Sequence, residues 1–267
     1  MTAQFENGVA AELEHFALEL ACAARRETLR PDEQRLLVED KNKGGSYDPV
    51  TDADRAAEAA MRELIADRYP EHGIVGEEFR DRAANSAFTW SLDPIDGTRS
   101  YMCGLPTWTT LIALLSEGNP VLGLIDAPRL DETFVGTPER SRVIRDGRTL
   151  RLSTSGCTSI GEARFSTTDP FLFEPTAAGL QRILRTVRVT RYGHDAYAYA
   201  RLAAGDIDLV IETGLKPHDY NALIPVVRSA GGHIGNWRGG GDFAGGDLVA
   251  AASRELYEAA VGLLARA

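Results

Sequence analysis

The stretch Trp90-Ser91-Leu92-Asp93-Pro94-Ile95-Asp96-Gly97-Thr98 makes the strictest demand on any fold that contains it. An apolar run with strand character delivers Asp93, Pro94 forces a turn, and a second carboxylate, Asp96, follows three residues later. Gly97 lets the backbone approach a ligand closely, and Thr98 can open a helix whose free N–H groups would receive phosphate. Two carboxylates on one tight turn repel each other, and one is driven to protonate unless a cation lies between them. Hard oxygen ligands without His or Cys point to Mg²⁺ rather than zinc. The same stretch also fits an Asx-type turn capping a helix, because Asp, Pro and Gly all favour turns.

Two other acidic segments bear on that choice. Gly73-Ile74-Val75 reads as a strand that runs into Gly76-Glu77-Glu78, which alone would be an ordinary surface acidic pair. Pro217-His218-Asp219 opens a helix, where Asp is a common N-cap. Upstream, Asp54 follows Thr51 at the start of another helix and could serve as its capping partner.

Composition narrows the function classes. The chain has 267 residues and a formal net charge of -10, so a polyanion such as nucleic acid would be repelled, and no nucleic-acid partner is expected. Cys22, Cys103 and Cys157 form no CxxC and suit reduced thiols rather than a disulfide framework or a zinc site. Glu6, Glu12, Glu14 and Glu19 interrupt the N-terminal region, and no apolar run approaches the ~20 residues of a membrane span. A cytoplasmic protein without a membrane partner is the expectation.

The first helix is marked by Phe5, Val9, Leu13, Phe16 and Leu20, at steps of four, four, three and four. A polar loop over 39–49 follows, with Lys41 and Lys43 placed either as a lid or as solvated charges. The next expected elements are a helix from Thr51 with Ala57, Met61, Leu64 and Ile65 on its buried face, and a strand over 88–92. A hairpin over 108–116 and 120–127 and a tight turn at Asp146-Gly147 come after it. Beyond residue 160 the pattern alternates: helix 175–186, strand 187–191, helix 195–204, strand 206–212, helix 219–230 and a last helix near Ser253. The expected organisation is a mixed α and β architecture, with an N-terminal lobe over 1–150 and a C-terminal α/β lobe over 151–267.

Together, Asp48-Pro49-Val50-Thr51-Asp52-Ala53-Asp54, Gly76-Glu77-Glu78, Asp93-Pro94-Ile95-Asp96-Gly97-Thr98 and His218-Asp219 leading to Ala230-Gly231-Gly232 resemble the inositol monophosphatase superfamily. His218 stands where that family usually has Trp. The resemblance implies an αβαβα sandwich, a homodimer, and phosphomonoester hydrolysis with two or three Mg²⁺ ions. It implies that Glu77, Asp93 and the Ile95 carbonyl hold the first metal, and Asp93, Asp96 and Asp219 the second. The N–H groups of Gly97 and Thr98 would grip phosphate, with Arg99 beside them. Thr98, hydrogen-bonded to Asp54, would orient and deprotonate the attacking water together with Glu77.

Substrate choice must come from elsewhere in the chain. Arg191-Tyr192-Gly193-His194-Asp195-Ala196-Tyr197-Ala198-Tyr199-Ala200 looks like the R-Y-G-G-D-x-Y-A-Y-A of the family's histidinol-phosphate phosphatases. Ser166-Thr167-Thr168-Asp169-Pro170-Phe171-Leu172-Phe173 and Gly214-Leu215-Lys216-Pro217 are similar to segments of the same subgroup. His194 and Asp169 depart from its pattern. Glu212 and Asp195 are candidates to pair with a substrate cation, and Arg191 to contact phosphate or to lock Asp195 by a two-pronged bond. Inositol-1-phosphate or another small phosphate ester remains the alternative substrate. A non-catalytic accessory binding protein of the same fold is the alternative of another class.

Overall fold

The computed structural model describes residues 7–30, 38–40, 49–173 and 177–265. Phe5, Lys41, Lys43 and Asp48, which carry part of the sequence expectations, lie outside the described residues. The chain opens with α1 (Asn7–Thr28), a short antiparallel pair β1 (Val38–Asp40) and β2 (Pro49–Thr51), and α2 (Asp52–Arg68). A seven-stranded sheet follows in simple order: β3 (Gly73–Gly76), β4 (Phe88–Asp96), β5 (Thr109–Ser116), β6 (Asn119–Ala127), β7 (Glu132–Gly136), β8 (Ser141–Arg145) and β9 (Arg148–Arg151). Only the β3–β4 pair is parallel; the rest run antiparallel. The short helix α3 (Thr98–Met102) sits between β4 and β5.

The second sheet has five strands in the order β11-β10-β12-β14-β13. They are β10 (Arg164–Thr167), β11 (Val189–Tyr192), β12 (Leu209–Glu212), β13 (His233–Gly235) and β14 (Leu248–Ala251). Helices α4 (Ala177–Leu184), α5 (Tyr197–Ala203), α6 (Pro217–Tyr220), α7 (Leu223–Ser229) and α8 (Arg254–Leu264) connect or follow them.

Strand periodicity explains how these elements stack. Successive side chains on a strand point to opposite faces, so a sheet covered on both sides is apolar on both. In β5, Ile112 and Leu114 pack with Leu13, Phe16 and Leu20 of α1 and with Met61 and Ile65 of α2. Leu111 and Ala113 face the opposite way, into a core with Tyr199 of α5 and Val226 and Val227 of α7. In β12, Val210 joins that same middle core, whereas Leu209 and Ile211 pack with Leu180 of α4 and Leu256 and Tyr257 of α8. The result is helix pair, sheet, helix pair, sheet, helix pair: the αβαβα sandwich expected from the sequence.

The middle layer fits because the first sheet is notched where α7 crosses it. Gly123 and Gly136 face each other across β6 and β7. A Cβ on Gly123 would lie 2.1 Å from the Ala222 carbonyl oxygen, and one on Gly136 2.4 Å from the Val226 backbone. The helix 219–230 expected from the sequence is two helices here. Asn221 and Ala222 keep right-handed helical angles, with φ of -58° and -72°. Pro225 has no N–H to give the Asn221 carbonyl, so the hydrogen-bond ladder breaks between them.

Candidate functional site

Asp93 and Asp96 reach one place because β4 is irregular. Residues three apart on a regular strand point to opposite faces. Here Asp93 pairs with Leu111 and Asp96 with Thr109, so three steps on β4 match two on β5 and the register shifts between them. The extra residue is a β-bulge, and Pro94 suits it because a bulge spares the ladder a donor. Thr110 Oγ1 donates to the Pro94 carbonyl at 2.8 Å and satisfies the displaced oxygen. This corrects the sequence expectation of a turn at Pro94: the strand continues through Asp96. Gly97, at φ 81°, then caps α3, which begins at Thr98.

Asp219 arrives from the other side of the chain. It is the third residue of α6, and its Oδ2 accepts from the Lys216 N–H at 2.6 Å, so it caps the helix from within instead of acting as the N-cap. Asn221 Nδ2 donates to Ser91 Oγ at 3.1 Å and fastens this segment to β4. Ligand-type oxygens of Asp93, Asp96 and Asp219 thus fall within 4.8 Å of one another. His218 Nε2 is 3.4 Å from Asp219 Oδ1 and adds a second neighbour to that carboxylate.

Glu77 follows β3, the parallel neighbour of β4, and its charge bears on Asp93, Asp96 and Asp219 alike. The loop that carries it is pinned by a residue the sequence reading did not single out. Glu58 of α2 is fully buried; its Oε2 accepts from the Glu78 N–H at 2.7 Å, and its Oε1 accepts from Arg62 Nε at 2.7 Å. Arg62 in turn donates to the carbonyls of Arg80 and Phe79. Gly76 is required at this contact, because a Cβ there would stand 2.0 Å from Glu58 Oε1.

The electrostatics of the cluster are severe. Burial pushes the Asp93 carboxyl well above its ordinary range, and the charges of Glu77, Asp96, Asp219 and Asp54 push it further. Burial and Asp195 do the same to Asp96, although the Ala196 N–H, 2.7 Å from Asp96 Oδ2, works against the rise. Asp93 Oδ1 is buried with no hydrogen-bond partner among the described residues. An orphaned carboxylate oxygen beside two further carboxylates fits a hard divalent cation, which would satisfy the oxygen and cancel the repulsion.

Asp54 is the N3 residue of α2 and accepts from the Thr51 N–H at 2.9 Å and the Thr51 hydroxyl at 2.5 Å, so the capping role is present. Its charge also reaches Asp93. The Thr98 hydroxyl, expected to bond Asp54, donates to the Ile95 carbonyl at 3.1 Å.

The second sheet supplies the far wall. A cavity of about 150 Å³ is lined by Asp96, Asp219, Asp195, Glu212, Thr168 and Tyr199, with Leu172, Leu215 and Leu223 among its apolar members. Glu212 ends β12 and is 3% exposed. It accepts from the Thr168 N–H at 2.7 Å, the Thr168 hydroxyl at 3.0 Å and the Thr167 hydroxyl at 3.4 Å. Burial nonetheless raises its carboxyl to about 8. Asp195, at φ 46°, receives the Ser100 hydroxyl at 3.4 Å. Arg99 is exposed, and its charge bears on Asp195.

Arg191 departs from the second of its two expected roles, the pairing with Asp195. It lies on β11, the outer strand of its sheet, is exposed, and donates to the carbonyl of its own neighbour Thr190 at 3.1 Å. The two-pronged bond to Asp195 is absent, because Asp195 has turned inward past the strand end toward Gly97 and Ser100. Gly193 is not a cavity wall either; its N–H donates to the Thr167 and Thr168 carbonyls and so braces the pair that holds Glu212. A wider cleft of about 590 Å³, lined by residues 155–159, has two arginines, Arg164 and Arg188, already committed to Asp208 and Glu162. It has none of the cluster's chemistry.

Comparison with known proteins gives a consistent result. The sequence profile described as "Inositol monophosphatase family" matches residues 10–267. The chloroplastic "Bifunctional phosphatase IMPL2" of Arabidopsis thaliana is 47% identical over 194 residues, which are 72% of this chain and 55% of that protein. The chain thus spans about half the length of that relative. The "Histidinol-phosphatase" of Chlorobaculum parvum is 31% identical over 90% of this chain and 92% of its own. Among solved structures, an inositol monophosphatase from Zymomonas mobilis superposes with a TM-score of 0.82 at 33% identity, covering 95% of this chain and 98% of that one.

Proposed function

The chain belongs to the inositol monophosphatase family, and from that premise we propose that it is a Mg²⁺-dependent phosphomonoesterase acting on histidinol phosphate. Glu212 carries the substrate assignment. It is a buried carboxylate in the same cavity as Asp96 and Asp219, held by Thr167 and Thr168. A substrate whose phosphate lies at the aspartate end therefore presents its next few atoms to Glu212. Histidinol phosphate carries an ammonium there, whereas inositol offers neutral hydroxyls. Identity to the Chlorobaculum parvum histidinol-phosphatase supports the same reading.

Asp93, Asp96, Asp219, Glu77 and the Ile95 carbonyl would hold the cations. When bound, the cations lower the pKa of water and offset charge at both ends of an in-line displacement. The chain's own residues do the rest. The Gly97 and Thr98 N–H groups at the start of α3 orient the phosphate, with Arg99 adjacent at the rim. Thr98 and Glu77 position the attacking water, and Asp54, locked by Thr51, keeps the α2 end of the site fixed. Asp195 and Glu212 receive the cationic end of the substrate.

The test is a comparison of kcat/KM on histidinol phosphate, inositol-1-phosphate and 4-nitrophenyl phosphate with Mg²⁺. Preference for histidinol phosphate supports the proposal. Preference for inositol phosphate would leave the phosphatase reading and remove the histidinol one; no turnover of any of the three would favour a non-catalytic role.

A further inference from the structure

One polar group in the cavity has no work in the scheme above. Tyr199 of α5 is 1% exposed and lines the cavity, and its hydroxyl has no hydrogen-bond partner among the described residues. Four other tyrosines behave differently. Tyr257 donates to the Asn236 carbonyl at 2.6 Å, Tyr197 to Glu132 at 2.8 Å, Tyr69 to Glu12 at 2.9 Å and Tyr101 to the Thr28 carbonyl at 3.2 Å. A buried phenol normally finds such a partner, since leaving the O–H unpaired away from water is costly. Leucine or phenylalanine at this position would avoid that cost.

The charges that act on the hydroxyl are those of its neighbours in the cavity wall. Burial raises its pKa well above the usual value, and Glu212, Asp96 and Asp219 add to the rise, in that order. Tyr199 thus shares one cavity with the carboxylate assigned to the substrate's cationic end and with the aspartates assigned to its phosphate end. It remains a neutral phenol, whose lone pairs are able to accept a hydrogen bond.

We propose that Tyr199 is a specificity-determining residue, whose hydroxyl accepts a hydrogen bond from the donor group that the substrate carries close to its phosphorylated carbon. That group is an ammonium in histidinol phosphate and a hydroxyl in inositol-1-phosphate. The proposal rests on the reading that phosphate lies at the Asp96–Asp219 end of the cavity.

The test is Tyr199→Phe, assayed on histidinol phosphate, inositol-1-phosphate and 4-nitrophenyl phosphate, with Tm measured in parallel. The expected result is a loss of about tenfold in kcat/KM on whichever of the first two the wild type prefers, and a change under about twofold on the aryl phosphate, which has no such donor. Tm should hold or rise, because the removed hydroxyl has no protein partner. A wild-type preference for inositol-1-phosphate, with the loss appearing on that substrate, would end the histidinol assignment and keep this one. Equal losses on all three substrates, no loss on any, or a fall of several degrees in Tm would each overturn it, the second by making an internal water the hydroxyl's partner.

Discussion

Glu212 shows how one residue's surroundings set both stability and selectivity. Burial lifts its carboxyl from the ordinary 4.5 to about 8. A raised folded-state pKa favours the folded protein while the group is protonated, so that contribution is complete below about 4.5 and is lost as pH climbs to about 8. Glu212→Gln, which cannot ionise, should therefore gain in Tm over the wild type as pH rises through that window, and the gap should level off above it. In catalysis the sign reverses, since only the carboxylate pairs with an ammonium. The wild-type kcat/KM on histidinol phosphate should rise toward pH 8, a limb that Glu212→Gln and an aryl phosphate both lack. Glu58 makes a different residue-scale case. Glu58→Ala removes the side-chain acceptor of the Glu78 N–H and of Arg62 Nε, both tied to the Glu77 loop. Mg²⁺ affinity measured by titration should fall about tenfold to a hundredfold, as for groups that orient metal ligands; unchanged affinity would make the pair a purely structural one.

Elements carry these residues to the site, and here the sequence was only partly legible. The helices were readable where apolar residues recur at helical steps, as in Leu13, Phe16 and Leu20 of α1 and Ala57, Met61 and Ile65 of α2, all of which are buried. The last helix, expected near Ser253, is α8, and Ser253 caps it. The acidic motifs were legible because they are local: the Gly97 turn and the α6 start are each written in a few adjacent residues, whereas the bulge at Pro94 shows only in the pairing with β5. The strands β13 and β14 were missed, since three residues give no period, and Leu-Val-Ala-Ala buried on both faces does not alternate. Glu58 was invisible because its meaning lies in a loop twenty residues away. Arg191 misled because a guanidinium four residues from a carboxylate in sequence looks like a pair until the strand edge turns one of them outward. The glycine notch under α7 was also silent in sequence. Gly136→Ala should push α7 off the sheet, costing about 1–3 kcal/mol by overpacking, read as a lower midpoint in denaturant, and should weaken Mg²⁺ binding through displaced Asp219. A loss of stability with Mg²⁺ affinity intact would mean that α6 holds Asp219 independently of α7.

At the scale of the whole molecule, the site lies where two sheets present the ends of their parallel strands to each other. Glu77 follows β3, Asp93 and Asp96 close β4, Thr167 ends β10 and Glu212 ends β12, so phosphate chemistry and substrate choice come from different sheets. Ligand crevices at the carboxyl ends of parallel strands are the general rule for such folds. The arrangement gathers carboxylates that destabilise each other in the absence of a cation. Mg²⁺ should therefore raise Tm, and by mass action the shift should grow with Mg²⁺ concentration. The most direct measurement is the turnover of Asp93→Asn on 4-nitrophenyl phosphate at saturating Mg²⁺. Asp93 has the orphaned buried oxygen and feels the charges of Glu77, Asp96, Asp219 and Asp54, so kcat should fall on the order of 10² or more with the fold intact by circular dichroism. Turnover close to the wild type would contradict the assignment of this cluster as the catalytic metal centre.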